Sequence, residues 1–108
     1  MKVQLLWFQD CPNHEAATTM LREVLAEVGV SSAVELVEVP DLDAGRRWQF
    51  PGSPTIRIDG VDVEPGWQSD GEFTPRCRLY PTADGLRGVP ERAWVMDAVR
   101  RASSDGAS

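Results

Sequence analysis

The chain has 108 residues, of which 42% are hydrophobic and 26% charged, with a net charge of -6. That is enough for one domain with its own core, and the acidic balance excludes binding driven by nucleic-acid phosphates or by anionic membranes. No stretch approaches the ~20 apolar residues of a membrane span, and no basic start followed by a long apolar run marks a secretory signal, so a cytoplasmic protein is expected.

Val3, Leu5, Leu6, Trp7 and Phe8 make an almost unbroken apolar run within Lys2 to Phe8. That pattern predicts a strand covered on both faces, with Trp7 in the core. Asn13 to Val28 predicts a helix. Ala17, Met20, Leu21, Val24, Leu25 and Val28 recur at helical spacing as one buried stripe, and Arg22, Glu23 and Glu27 lie off it. Gly29 is a natural C-terminal stop. Ala33 to Val39 sets Val34, Leu36, less strictly Val37, and Val39 against Glu35 and Glu38 and predicts a second strand. Strand, helix and strand of these lengths form a right-handed βαβ unit with parallel strands. Pro40 ends the strand, and Asp41 to Gln49 predicts a short helix, with Asp41 or Asp43 favouring its dipole and Gly45 weakening it.

Thr55, Ile56 and Ile58 predict a third strand, Asp59-Gly60 signals a hairpin, and Val61 to Val63 is the returning strand. Pro54, just ahead, is either an edge device or a cis proline in a tight corner. Glu64 to Val89 is rich in Gly and Pro and long for a loop, a length that tends to carry function or structure of its own. Pro90 to Ala102 predicts the last helix, with Val95, Ala98, Val99 and Ala102 in its stripe, Trp94 and Met96 beside it, and Arg100 and Arg101 at its end. Ser103 to Ser108 is small and polar and is expected to fray. The chain reads as a single domain over residues 1–102, with an insertion at 64–89 and a tail at 103–108.

The chemistry gathers at Phe8-Gln9-Asp10-Cys11-Pro12-Asn13-His14. Cys11 sits where a strand turns into a helix. The free N–H groups and dipole of a helix start favour a thiolate, which makes Cys11 the candidate nucleophile. Asp10 would oppose that charge if it pointed inward, so it is expected outward. His14, three residues on, is either a solvated first-turn residue or an imidazole placed to stabilise the thiolate or move a proton near neutral pH. The chain has two cysteines, expected to be free thiols in the absence of an export signal. Cys77 is remote in sequence, but if Pro54 sits beside Cys11 the hairpin at Asp59-Gly60 returns the chain toward that site. Cys77 is therefore a candidate resolving thiol or second metal ligand, as against a loop cysteine packed under the insertion. In the first case its Cα should lie within about 7 Å of that of Cys11. Glu15, Asp41, Asp43, Glu64 and Asp70 are expected on the solvated surface, and Trp48, Trp67 and Trp94 as packing residues.

The order β-α-β-α-β-β-α resembles the thioredoxin-like superfamily in its compact, glutaredoxin-like form. The likeness covers roughly residues 2–63 and 90–102 and rests on Cys11-Pro12-Asn13-His14 at the first strand–helix corner and Ser53-Pro54-Thr55 before the third strand. It implies an α/β fold with a four-stranded mixed sheet and a long insertion before the last helix. It also implies a cis Pro54 beside Cys11, where the backbone of Ser53, Pro54 and Thr55 would hold an extended thiol-bearing substrate by strand-like hydrogen bonds. His14 stands where dithiol members carry a second Cys, so the two-thiol cycle cannot run within that motif. Monothiol glutaredoxins, peroxiredoxins and arsenate-reductase-like members work with one Cys at this corner. Phe-x-x-Cys-Pro-Asn followed by Gly-Ser-Pro-Thr also resembles short bacterial thioredoxin-like proteins labelled as relatives of alkylmercury lyase.

The leading expectation from the resemblance is thiol–disulfide or related redox exchange, in which Cys11 attacks and Cys77 resolves. The partner is a thiol- or disulfide-bearing protein or small molecule, no cofactor is called for, and the chain acts as a monomer or weak homodimer. A second expectation is binding of Hg(II), Cu(I) or Zn(II) by Cys11, His14 and Cys77, or organomercurial-lyase-like chemistry with His14 in the place of an acid. A third is a non-enzymatic module that binds a partner, with Cys11 a relic.

Overall fold

β1 (Val3–Trp7) is the strand on which the sheet is built. A computed structural model describes residues 1–106. β1 pairs in parallel with β2 (Val34–Glu38) on one side and antiparallel with β3 (Thr55–Ile58) on the other. β3 turns at Asp59-Gly60 into β4 (Val61–Asp62), which gives a four-stranded mixed sheet in the order β2-β1-β3-β4. Both turn residues have positive φ, 52° at Asp59 and 83° at Gly60, the backbone that suits a two-residue hairpin.

Alternation along β1 fills two cores. Val3 and Leu5 face α1 (His14–Val28) and α3 (Arg92–Gly106) and pack with Leu21, Val24, Ile56, Val95 and Val99. Leu6 points the other way, toward α2 (Leu42–Trp48), and packs with Val37, Val39, Ala44 and Phe50. The helices thus lie on both faces of the sheet, as the apolar run in β1 predicted. α1 ends at Gly29, whose φ of 85° lets its N–H and that of Val30 close onto the carbonyls of the last turn. Arg92 of α3 bonds Glu23 and Glu27 on the exposed side of α1.

Several expectations are corrected by packing. In β2, Leu36 is 50% exposed, because it shares the face of Leu5 at the sheet edge, beyond the cover of α1, while Val37 turns into the second core. Trp7 is half-buried: it packs against the edge of the first core and stacks on His14. β4 stops at Asp62, although the Val63 N–H still reaches Ile56 O at 3.2 Å. Within the insertion, β5 (Tyr80–Thr82) and β6 (Gly85–Arg87) form a separate antiparallel hairpin, so the long segment carries structure of its own. α3 runs on to Gly106, past the expected end at Ala102. Ala102 packs against the first core, and Arg101 bonds Asp97 one turn back. Of the tail expected to fray, residues 107–108 lie outside the described residues. No helix among the described residues is long and apolar enough to cross a membrane.

α2 is capped by Asp41, whose carboxylate accepts from the Ala44 N–H at 2.9 Å. Its Gly45 has a reason that helix propensity hides. A Cβ there would run into the backbone carbonyl of Phe73, so the insertion crosses directly over α2 where no side chain is in the way.

Candidate functional site

The corner after β1 is fastened by two hydrogen bonds. The Cys11 N–H donates to Phe8 O at 3.0 Å, and the Phe8 N–H donates to Ser53 Oγ at 2.9 Å. Cys11 is thereby drawn beneath the segment before β3 and is fully buried, at 0% exposure. Asn13 precedes α1 without a side-chain cap bond; its amide lies against Gly88, where a Cβ would collide with it. The far end of the insertion therefore rests on the start of α1. Asp10 is exposed, as expected.

The Ser53–Pro54 peptide is cis, and Ser53, Pro54 and Thr55 are all buried beside Cys11. The backbone edge at Ser53 is occupied by the chain itself. Ser53 N–H donates to Arg76 O at 2.7 Å, and Arg78 N–H donates to Ser53 O at 2.9 Å, a parallel bridge opposite Cys77. The expectation that this edge waits for a substrate strand is corrected. Buried backbone groups need partners, and the insertion supplies them without the cost of association. Cys77 is delivered onto Cys11, with a Cα–Cα separation of 5.6 Å, and the two form a disulfide across 66 residues. The two free thiols expected from the sequence are thus a pair, and no loop motion is needed to join them.

Arg78 locks this segment down. Its side chain is 5% exposed and makes a two-pronged bond to Asp62 at 2.6 and 3.0 Å, a third bond to Glu64 at 3.2 Å and a fourth to Thr55 Oγ1 at 3.0 Å. Its guanidinium also lies 4.3 Å from the ring centre of Tyr80 and 5.2 Å from that of Trp67. Burial works against the charge, but the bonds to Asp62 and Glu64 and the field of the neighbouring acids outweigh it and raise the Arg78 pKa. Glu64 is therefore a part-buried partner of Arg78 and not the solvated carboxylate expected, while Glu15, Asp41, Asp43 and Asp70 are exposed. Gly52 makes the close approach possible. Its φ is 133°, and a Cβ there would stand 2.8 Å from the Cβ of Arg78. Thr55 Oγ1 donates to Gly52 O at 2.6 Å, which commits its hydroxyl to this network and not to a substrate.

Tyr80 completes the clamp by donating its hydroxyl to Pro54 O. Burial raises its pKa well above the usual value near 10, against the opposing pull of Arg78. In the unfolded chain the phenol ionises near pH 10, so above that pH the unfolded state releases a proton that the folded state keeps. Stability is full below about pH 10 and falls as the pH climbs beyond it. The chain has one tyrosine, so ultraviolet difference absorbance reads this group alone. We expect tyrosinate to appear only together with loss of tertiary circular dichroism. Ionisation near pH 10 in a folded chain would show that Tyr80 is solvated.

His14 contacts the backbone of Cys11. Its ring stacks on Trp7, with centroids 4.5 Å apart, and its Nδ1 lies 3.0 Å from Cys11 O. A proton on Nδ1 would be donated to that carbonyl. The polar neighbour of Cys11 Sγ is instead Ser53 O at 3.4 Å, a bond the S–H can donate only in the reduced protein. The site thus assembles Cys11, Cys77, Ser53, Pro54 and Thr55, with His14 on the Cys11 backbone.

No family model, curated protein or solved structure matches the chain. Among the described residues no group of three His, Cys, Asp or Glu side chains is set to hold a metal ion. In the disulfide neither Cys11 nor Cys77 has a thiolate to offer, so coordination by Cys11, His14 and Cys77 requires the dithiol.

Sequence reading missed Arg78, Asp62 and Tyr80. The available signal was a single arginine in the otherwise apolar-leaning Cys77-Arg78-Leu79-Tyr80, paired with acids two apart at Asp62 and Glu64.

Proposed function

We propose that the chain is a thiol–disulfide exchange protein of thioredoxin-like build, with Cys11 and Cys77 as its redox couple. The βαβ unit, the antiparallel β3–β4 pair, the helices on both sheet faces and the cis Ser53–Pro54 bond beside Cys11 support that build. The observation that carries the reading is the Cys11–Cys77 pair itself, seated against Ser53 at the strand–helix corner. The net reaction is balanced by the two sulfurs. The dithiol gives two electrons and two protons to a disulfide R–S–S–R, which leaves as two R–SH, and the protein keeps the Cys11–Cys77 bond. A pair that cycles in this way suits a cytoplasmic setting, where a purely structural disulfide would not be maintained.

The test is titration of the native protein in glutathione buffers of stepped redox poise, followed by acid quenching, alkylation and mass spectrometry. We expect one reversible two-electron transition and loss of disulfide-reducing activity in Cys11→Ser. A disulfide that excess thiol cannot open without denaturant would make the pair a structural staple and end the proposal.

A further inference from the structure

We infer that Cys77, and not Cys11, is the sulfur that exchanges with an outside thiol, and that the incoming thiol is a small molecule received in the cleft beside Cys77. The inference rests on the exchange reading above and reverses the order of attack that the sequence suggested.

The two sulfurs differ in access. Cys11 is buried at 0% exposure under the Phe8–Ser53 bond, whereas Cys77 is exposed. Attack on one sulfur of a disulfide expels the other, so the sulfur that can be reached decides the mixed disulfide. A cleft of about 400 Å³ opens at Cys77, walled by Trp67, Gln68, Arg76, Leu79 and Pro81, with the carboxylates of Glu64 and Asp70 also on its wall and Arg76 paired with Asp70 at 3.3 Å. Its volume falls within the usual range for small-ligand sites. Leu79 is 62% exposed there, so the cleft offers an uncovered apolar wall, with Gln68 and Arg76 supplying polar groups. An extended peptide has a poorer claim. The backbone edge that would hold it at Ser53 is already paired with Arg76 and Arg78.

The chemistry closes without a further reactant. A thiolate R–S⁻ attacks Cys77 Sγ and forms R–S–S–Cys77. The Cys77–Cys11 bond breaks, and its electron pair leaves on Cys11 Sγ, which takes up a proton. A second R–S⁻ then attacks the outer sulfur and releases R–S–S–R, and the Cys77 thiolate is protonated in turn. Two small thiols are oxidised, one protein disulfide is reduced, and two protons pass from the thiols to the cysteines. In the opposite direction Cys77 takes the mixed disulfide from R–S–S–R, and Cys11 resolves it.

Oxidised wild-type protein should be mixed with reduced glutathione as the probe, quenched in acid at short times, capped with N-ethylmaleimide and mapped by peptide mass spectrometry. We expect glutathione on Cys77 and maleimide on Cys11, with at least about tenfold preference over the reverse. Glutathione mainly on Cys11 would overturn this assignment and leave the exchange reading standing. A native protein in which neither cysteine is ever modified would overturn both. An extended peptide with one central cysteine, of matched thiol pKa, is expected to react more slowly than glutathione. Equal rates would overturn the small-thiol half of the inference.

Discussion

Arg78→Ala is expected to destabilise the folded chain by about 3–5 kcal/mol, read as a fall in the midpoint of urea unfolding at unchanged slope. The arginine itself is 5% exposed, and the side chains it neutralises are 7% exposed at Asp62 and 15% at Glu64. Removing the cation leaves two carboxylates with little water and no counter-charge from Arg78, Asp62 keeping only the Glu64 N–H at 2.9 Å, and that uncompensated charge is the main cost. Lysine should restore only part of it, because one ammonium cannot reproduce the fork onto Asp62 or lie flat between Trp67 and Tyr80. The decisive control removes every charge together, as Arg78→Met with Asp62→Leu and Glu64→Gln. It should recover most of the loss, because an apolar replacement carries no desolvation penalty. A single-variant loss under about 1 kcal/mol would mean that water reaches the cluster and screens it.

That cluster marks the limit of what the sequence discloses. Periodicity was enough for α1 and for the two-faced burial of β1, because each is written in residues a few positions apart. The Asp59-Gly60 turn was legible for the same reason. The approach of Cys77 to Cys11 was legible through topology, because a hairpin must return the chain to where it started. What the sequence did not show was tertiary in origin. Gly45 reads as a weak point of α2, and only the path of Phe73 over it explains a glycine there. Leu36 reads as a core residue until its place on the edge strand is known. The β5–β6 hairpin is three residues a side with Pro81 inside it, too short and too interrupted to signal a strand. The occupancy of the Ser53 edge by Arg76–Arg78 joins residues more than twenty apart and has no local pattern at all.

Reduction of the Cys11–Cys77 disulfide is expected to lower stability by about 4 kcal/mol, the chain-entropy value for a closed loop of this length. The sequence separation is 66 residues, so the cross-link removes a large share of the unfolded chain's freedom. Denaturant midpoints of the oxidised and the alkylation-blocked reduced protein measure it directly. Linkage makes the same quantity visible as chemistry. A cross-link worth about 4 kcal/mol to the folded state is roughly 90 mV harder to reduce there than in the unfolded chain. Equal midpoints, or equal potentials in native and unfolded protein, would refute the linkage. Arg78 and the disulfide hold one and the same segment, so their effects should not add. Among the described residues the packed cores draw on the insertion only at its last residue, Val89. Reduced Arg78→Ala should therefore release the insertion as a local unit while the sheet stays folded. In hydrogen exchange, the Tyr80–Arg87 amides should lose protection to a much greater degree than those of Val3–Trp7. Simultaneous loss at both would show that the insertion and the sheet are one cooperative unit, and that the redox pair reports on the whole fold.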